Sequence, residues 1–568
     1  MAPCGFMNLE ESMSEDSIQG GVNSLVSDYL AKRIGRREFV RQAVILGFSL
    51  SSAAAILAAC SSSSSSGTTS AQTGGTFIEG YDRDFTKMDT VLSGWADPGY
   101  VALYEFTMIR DFQGKIVPAL FESWSVSSDN LTWTCKVREG VKFHSGAACT
   151  NANVVEDFNL FRDPKIGQNQ VFWLSVSDVS AGPNNSVVIK LSKPWAAIGE
   201  TLATEYSMIH NQAARKTAGD TFGATVVDGT GPFKLKEFTP GKQVIVERNN
   251  AYAGTVVPFL SNKGKPYVDA VKWVPITEPA NRANEMEAGT VMAVKNPAGQ
   301  DVTRLKANSN LVVQEWPSTA NSFIALNLAL TKLGFDQVDV RQAISQAIDR
   351  EGIVKSVFFG HAVATYGPLN PNFKWYEKGV EQFNKYDPAK SMSLLEGQGW
   401  KPGSDGIRVK NGQRLSFTHY NWAQQSDGAP VMEAVAASLQ KVGVEMKVVS
   451  LESATFFPHW NDTAESFGYE WLWSSPIDVL VIFATIPSKK YNGNMADLQA
   501  AFDAWQSAAT DAQLEAAARK AQLIWAEKLP KIPVVTPNNV WVNNKKVHGW
   551  KPSQSMLYPL YNDVWIEH

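Results

Sequence analysis

Cys60 is the residue of this sequence whose surroundings specify a chemistry most clearly. An arginine pair, Arg36-Arg37, precedes an uncharged stretch that runs from Gln42 to Ala59, directly before the cysteine. Basic residues, a short apolar segment and a small-residue cleavage site are the marks of an export signal. The thiol therefore stands at a cleavage point, where it can be modified once the signal has been removed.

The cleavage site resembles the lipobox of bacterial lipoproteins, in which the cysteine becomes the N-terminus and carries the lipid. Arg36-Arg37-Glu38-Phe39 is similar to the twin-arginine export motif, although Gly35 stands where Ser or Thr is usual. The alternative is a transmembrane helix, which needs about 20 predominantly apolar residues. The stretch before Cys60 is shorter and contains serines. We expect an export signal over residues 1–59, lipidation at Cys60 and a Ser-rich tether over residues 60–74.

A second set of residues has the types expected of a cleft that holds an organic solute. Tyr420, Asn421 and Trp422 follow a predicted strand, and Trp471 and Trp473 lie where another predicted strand runs into a loop. Ligands in open α/β sheets lie beyond the carboxyl ends of the strands, and amphipathic rings suit such clefts. Packing in the hydrophobic core is the alternative for the tryptophans.

Neither the spacing of the histidines nor a search for catalytic motifs indicates an enzyme or a metal-binding protein. The seven histidines are scattered without ligand-like spacing, and only His419 lies on the predicted cleft strand. The sequence contains neither the Gly-x-Ser-x-Gly elbow of serine hydrolases nor the His-Glu-x-x-His zinc motif. We therefore predict no catalytic residue, no metal and no cofactor.

Two cysteines remain in the mature chain apart from Cys60. Cys135 and Cys149 belong to a protein that the signal marks for export, and a disulfide persists in such compartments. We expect them to be bridged, with two buried free thiols as the alternative.

Composition bounds the class of protein. The whole chain has 52 Lys/Arg and 56 Asp/Glu, and residues 1–59 hold five and six of these. Removal of residues 1–59 therefore leaves 47 basic and 50 acidic residues. A chain without a basic excess is not expected to bind nucleic acid. A body of about 500 residues exceeds one hydrophobic core and should divide into two or three lobes.

The elements that position these residues alternate between strands and helices. Period-two patterns predict strands over 75–80, 131–138 and 187–191, and a hairpin over 231–236 and 243–248. A helix is predicted over 340–348 with Asp339 as its cap. A strand over 415–420, a helix over 431–441 and a strand over 444–449 predict a βαβ unit with a parallel pair.

Five motifs in order resemble the solute-binding proteins of family 5, the dipeptide, oligopeptide and nickel class that serves ABC importers. They are 114–126, 131–144, 229–233, 340–343 and 347–350. The resemblance covers the chain from about Gly75 to the C-terminus. Most of the motif residues themselves are expected to be structural.

The resemblance implies an α/β fold of the periplasmic-binding-protein-like clam-shell type (type II, large three-subdomain form). Mixed sheets are flanked by helices, and a cleft lies between the lobes. Lobe I is expected over 75–318 and 530–568, with a nested subdomain at about 104–228. Lobe II is expected over 319–529, with crossovers near Ser318 and Leu529-Pro530.

The resemblance also implies a monomeric extracytoplasmic receptor that takes a peptide or small organic solute to an ABC permease, held at the membrane only by its lipid. In peptide-binding relatives an acidic residue of the later lobe holds the peptide amine; here Ser474 or Ser475 falls at about that position, and only Asp478 remains nearby. Trp95 faces the cleft in this architecture. The expected ligand-binding residues are Trp95, Tyr420, Asn421, Trp422, Trp471, Trp473, Ser474 and Asp478. A solute sensor without transport and an exported hydrolase are the alternatives.

Overall fold

The computed structural model describes residues 70–93, 96–319, 321–423, 425, 427–452, 454–456, 464–468 and 495–568. Residues 72–568 form one compact unit. The helices within the described ranges are all too short or too polar to span a membrane. The predicted export signal, Cys60 and most of the predicted tether lie outside the described residues.

The described elements are numbered here in chain order. The strands are β1 Thr76–Tyr81, β2 Met108–Arg110, β3 Ile116–Pro118, β4 Phe121–Val126, β5 Thr132–Val137, β6 Val176–Ala181, β7 Ser186–Leu191, β8 Phe233–Thr239, β9 Gln243–Arg248, β10 Ala270–Pro275, β11 Ala293–Lys295, β12 Leu311–Pro317, β13 Phe323–Leu326, β14 Ala362–Ala364, β15 Lys401–Pro402, β16 Arg408–Lys410, β17 Gln413–Arg414, β18 Ser416–Trp422, β19 Glu445–Leu451, β20 Ser466–Gly468, β21 Ile532–Pro533, β22 Val535–Asn544, β23 Val547–His548 and β24 Trp565–Ile566. The helices are α1 Pro98–Leu103, α2 Asn151–Phe161, α3 Ile198–Leu202, α4 Gln212–Ala218, α5 Pro279–Ala288, α6 Gly299–Ala307, α7 Val338–Gln346, α8 Arg350–Ser356, α9 Pro388–Gly397, α10 Gly428–Gln440, α11 Ala496–Gln506 and α12 Asp511–Lys528.

The large sheet has the strand order β12-β22-β11-β1-β10-β9-β8, and β14 pairs with β22 beside it. β1 runs parallel to both β10 and β11, so these three strands end at the same edge. The predicted opening strand and hairpin are confirmed as β1 and as β8 with β9. One face of the sheet packs against α5 and α6, where Val294 and Val302 are fully buried. The opposite face packs against an aromatic core that includes Trp273 and Tyr561.

The second sheet has the order β19-β18-β20-β13-β21. β18 runs parallel to β19 and to β20, so the predicted βαβ unit is confirmed as β18, α10 and β19. Helices α7 and α10 cover one face and bury Ile344 and Val435 there. α7 begins two residues earlier than expected, because Gln337 is its N-cap. Asp339 therefore lies in the first turn, and the prediction that it caps the helix is wrong.

A third, nested sheet has the order β4-β5-β7-β6 and is antiparallel throughout. It contains the strands predicted over 131–138 and 187–191 as β5 and β7. Its residues belong to the same core cluster as the aromatic face of the large sheet. The nested sheet is therefore continuous with the large sheet through side-chain packing.

The two cysteines of the nested region are free and buried. Cys135 lies in β5 opposite Trp124 and Val187, whereas Cys149 lies before α2 and its backbone N–H donates to Val141. Burial raises the pKa of the Cys135 thiol to about 12. The expected disulfide is not formed, and the alternative of two buried free thiols is what the structure contains.

Two short passages of the chain join the large and second sheets directly, and β14, which lies between β13 and β18 in the chain, also pairs with β22 of the large sheet. The first passage runs from the end of β12 at Pro317 to the start of β13 at Phe323. The second lies between Pro533 of β21 and Val535 of β22, a few residues after Leu529-Pro530, because β21 still pairs with β13. The passages run side by side, since the Val534 N–H donates to the Ser322 carbonyl over 2.9 Å.

Candidate functional site

Charged residues lie at the carboxyl edges of both the large and the second sheet. Arg282 lies on α5, which follows β10 of the large sheet, and Asp427 lies just after β18 of the second sheet. Burial lowers the pKa of Arg282, while the negative charges of Asp82, Glu278 and Asp427 oppose that shift. The two edges are thus close enough for charges on one to act on the other. Ligands of open α/β sheets bind at such edges.

The end of β18 presents two aromatic side chains on one face. Tyr420 and Trp422 are half-buried and pack against the core cluster shared with the large sheet. Asn421 points the other way, as alternation along a strand requires. It is 1% exposed, and a Cβ placed on Gly428 at the start of α10 would lie 2.6 Å from its Oδ1. Of the three predicted residues, only the two rings share the face toward the large sheet.

His419 has a structural environment. Its Nδ1 lies 2.9 Å from Ser466 Oγ of the neighbouring strand β20, and its side chain is fully buried. Burial lowers the pKa of His419 to about 3, so the ring is neutral at physiological pH. Among the described residues, no group of three or more His, Cys, Asp or Glu side chains is placed to hold a metal ion.

The edge of the large sheet carries a hydrogen-bonded network at the end of β1. Tyr81 donates to Asp97 over 3.1 Å, and Arg83 donates to the Tyr558 hydroxyl over 2.8 Å and to the Ala96 carbonyl over 3.0 Å. Asp97 is fully buried and lies 3.6 Å from the Arg83 guanidinium. Burial raises the pKa of Asp97, and the charge of Arg83 opposes that shift. This network fixes the end of β1 against the loop that precedes α1.

Behind this network, Glu79 is buried on β1. Its Oε2 accepts hydrogen bonds from the Tyr561 hydroxyl over 2.7 Å and from the Trp273 indole over 3.1 Å. Burial raises the pKa of Glu79 to about 7, although both hydrogen bonds and the charge of Lys295 oppose the shift. The carboxyl group therefore exchanges a proton near neutral pH.

Two further cations occupy the same edge. Lys295 ends β11, is 3% exposed, and has its ammonium 5.3 Å from the Trp541 ring centre and 5.6 Å from that of Tyr558. Such distances place the cation within range of both ring faces. Arg282 donates to three backbone carbonyls, those of Ile276, Thr277 and Asn296. Both cations are therefore held in fixed positions.

A seam of direct contacts joins residues 195–200, beside the nested sheet, to residues that accompany the second sheet. The Ala196 N–H donates to the Ala508 carbonyl over 2.9 Å, and the rings of Trp195 and Trp505 lie edge to face at 6.4 Å. Lys374 lies 3.9 Å from Glu200. Glu200 is in turn bound by Arg110 over 2.7 Å. These contacts join residues 195–200 directly to the region around α11 and to Lys374.

The remaining predicted site residues, Trp95, Trp471, Trp473, Ser474 and Asp478, lie outside the described residues. The charged groups of the large sheet, Glu79, Asp82, Arg83, Arg282 and Lys295, were not among the predicted site residues. The run Glu79-Gly80-Tyr81-Asp82-Arg83 carried a usable signal, because acidic and basic residues follow directly on a predicted strand. Applying the carboxyl-end rule to this first strand, and not only to the later βαβ unit, points to it.

Comparison with known proteins gives three concordant findings. The sequence model of the bacterial extracellular solute-binding proteins, family 5 Middle, matches residues 115–494. The glutathione-binding protein GsiB of Pectobacterium atrosepticum is 28% identical over 386 residues, which is 67% of this chain and 68% of the relative. GsiB of Escherichia coli K12 is 27% identical over 379 residues, which is 66% of this chain and 68% of that relative.

Solved structures share the fold. The periplasmic binding protein DppA from Helicobacter pylori, in complex with the peptide STSA, superposes with a TM-score of 0.76 at 21% identity, covering 88% of this chain and 99% of DppA. NikA from Brucella suis, in complex with Fe(III)-EDTA, superposes with a TM-score of 0.75 at 20% identity, covering 87% of this chain and 100% of NikA.

Proposed function

Because the chain belongs to family 5 of the bacterial extracellular solute-binding proteins, we propose that it is a lipid-anchored receptor that delivers a peptide or other small organic solute to an ABC import permease. Lobe I comprises the large and nested sheets, and lobe II comprises the second sheet with its helices. The solute lies between the two carboxyl edges. The proposal rests on the match of residues 115–494 to the family and on the direct contacts between the two lobes at Trp195 and Trp505.

The mechanism is closure of lobe II on lobe I around the bound solute. The passages at 317–323 and 533–535 are short, direct connections between the two sheets, which suits a hinge. Within the described residues, β14 also pairs with β22 beside them. A ligand that contacts both lobes stabilises the closed state by its differential affinity for that state. The seam at Trp195 and Trp505 adds ligand-independent contacts to the closed arrangement.

The site chemistry suits a solute that has both an apolar portion and charged groups. Tyr420 and Trp422 offer ring faces from lobe II, whereas Asp82, Arg282 and Lys295 offer charges from lobe I. Relatives are named for glutathione or were solved with a peptide. The proposed ligand-binding set is completed by Trp95, Trp471, Trp473, Ser474 and Asp478. Ser474 stands at about the position where peptide-binding relatives have an acidic residue.

The proposal is tested by a thermal-shift and calorimetry screen of purified protein against glutathione, short peptides and amino-acid metal complexes. We expect one of these three solute classes to raise the melting temperature, because a ligand that binds only the folded state stabilises it. Calorimetry should give a stoichiometry of about one solute per protein. Hydrolysis of a bound peptide during the assay would instead favour the hydrolase alternative.

We expect the Trp422→Ala variant to bind its solute about 5- to 150-fold more weakly, which corresponds to about 1–3 kcal/mol for a desolvated aromatic contact. Calorimetry with whichever solute the screen identifies measures the change. Trp124→Ala is the matched control, because Trp124 is also half-buried against the same core cluster but lies in the nested sheet. Equal affinity of the Trp422 variant and the wild type would remove Trp422 from the site.

The lipid anchor is tested separately. We expect Cys60→Ala to release the mature protein from the membrane fraction, because no acyl chain is then attached. Cys149→Ala, which removes a buried thiol instead, should leave fractionation unchanged. A Cys60→Ala protein that stays with the membranes would contradict the anchor.

A solute sensor remains the second candidate, since it would use the same closing lobes. Deletion of the gene distinguishes the two functions. Loss of solute uptake supports a transport receptor, whereas unchanged uptake with a lost transcriptional or motile response supports a sensor.

A further inference from the structure

Asp82 is a carboxylate of the site with one unpaired oxygen. It follows Tyr81, the last residue of β1, and is partly buried. No donor of the described residues lies within hydrogen-bond distance of its Oδ1, although this atom is shielded from solvent. An ionised carboxylate offers about four acceptor positions, and leaving them unfilled during burial is costly.

The environment of Asp82 keeps it charged. Burial alone would raise the pKa of Asp82, but the positive charges of Lys295, Arg83 and Arg282 outweigh burial and lower it. Each of these three cations also makes other contacts. Arg83 donates to Ala96 and Tyr558, Arg282 donates to backbone carbonyls, and Lys295 lies over two rings. They favour the charged form of Asp82, and none of them lies within hydrogen-bond distance of its Oδ1.

The position of Asp82 along the chain places it at a sheet edge. Asp82 directly follows the last residue of β1 and therefore lies at the carboxyl edge of the large sheet, where ligands of open α/β sheets bind. The charged groups described at this edge include the basic side chains Arg83, Arg282 and Lys295 and the acidic side chains Asp82, Asp97, Glu278 and Asp427. A solute that carries both a positive and a negative group can pair with both kinds.

We propose that Asp82 is a specificity-determining residue that accepts hydrogen bonds from the protonated amine of a zwitterionic solute. This inference rests on the receptor function proposed above. It assigns the amine contact to lobe I, whereas Ser474 stands at the lobe II position where peptide-binding relatives carry an acid. A charge-assisted hydrogen bond of this kind contributes more than one between neutral groups.

The test compares glutathione and the peptide Ser-Thr-Ser-Ala with their N-acetylated forms, because acetylation removes only the ammonium charge and its donors. We expect wild-type protein to bind at least one free-amine probe more tightly than its acetylated form. Asp82→Asn, which keeps the size of the side chain, should weaken that binding about 10- to 150-fold. The same variant should change binding of the acetylated form less than threefold.

Two further variants make the result specific. Asp129→Asn is the matched control, since Asp129 is an exposed carboxylate in a turn of the nested sheet, and it should bind like the wild type. Asp82→Ser serves as a second variant if Asp82→Asn has a lowered melting temperature, and it should show the same loss of amine preference.

Wild-type affinity in Asp82→Asn, or equal affinity of the wild type for free and acetylated probes, would overturn the inference. A wild-type protein that retains a solute through purification yet binds none of the four probes also overturns it, while the receptor function stands. A protein that neither retains a solute nor binds any probe overturns both.

Discussion

The Arg350→Ala variant is expected to lose roughly 3 kcal/mol or more of its free energy of unfolding. Arg350 is 1% exposed and donates to the backbone carbonyls of Ser345, Thr365, Asn384 and Pro533. Truncation leaves several buried acceptors unpaired and opens a cavity, and each unpaired group costs about 1–3 kcal/mol. Because Pro533 precedes the return passage to lobe I, the loss should be greatest for lobe II and its junction.

Denaturant unfolding of the body from Gly74 to His568 measures this effect. Arg304→Ala is the control, since Arg304 is 45% exposed and pairs with Glu287 and Asp301 on the surface. Surface ion pairs contribute about 0–1 kcal/mol, so the midpoint of this variant should move little. Similar shifts for both arginine variants would contradict the structural role of Arg350, which lies in the last of the five sequence motifs.

The second large effect is a pH dependence of stability that arises from Glu79. Burial raises its pKa to about 7 in the folded state, against 4.5 for an unperturbed glutamate. The folded protein therefore binds this proton more tightly than the unfolded chain does. The stability from neutral Glu79 is fully present below pH 4.5 and is lost as pH rises to about 7. A shift of this size corresponds to about 3 kcal/mol.

Glu79→Gln should remove this component, because the amide is neutral at every pH and its oxygen can still accept from Tyr561 and Trp273. Between pH 4.5 and pH 8, the denaturant midpoint should fall less steeply with rising pH for the variant than for the wild type. Glu247→Gln, at an exposed position of β9, should follow the wild-type curve. Parallel curves for the wild type and Glu79→Gln would show that Glu79 is ionised throughout the range.

Local sequence patterns were sufficient for much of the fold. β1, β5, β7, the hairpin β8–β9 and the unit β18–α10–β19 were all predicted, because periodicity and turn residues act over a few positions. The parallel pairing of β18 with β19 also followed from chain connectivity. The first and last residues of the elements were predicted less accurately. The helix α7 was expected to be capped by Asp339, but its N-cap is Gln337, two residues earlier.

The site depends on contacts between distant parts of the chain, and these were predicted only in part. Arg282 and Asp427 are brought near each other only when both lobes are folded and placed. The terminal residues Tyr558 and Tyr561 complete the network around β1, which no local pattern indicates. The direction of Asn421 follows from which face of β18 receives α10, and a strand pattern alone does not determine that choice.

Native mass spectrometry of the body from Gly74 to His568, purified without denaturation, tests the central claim most directly. If the two lobes close on a solute as described, the protein should carry one added mass of a small organic or peptide solute, and this mass should disappear on unfolding. The site predicts a zwitterionic solute, and Asp82→Asn protein should retain less of it. A bare wild-type protein that also remains unshifted by every solute in the screen would contradict a solute receptor.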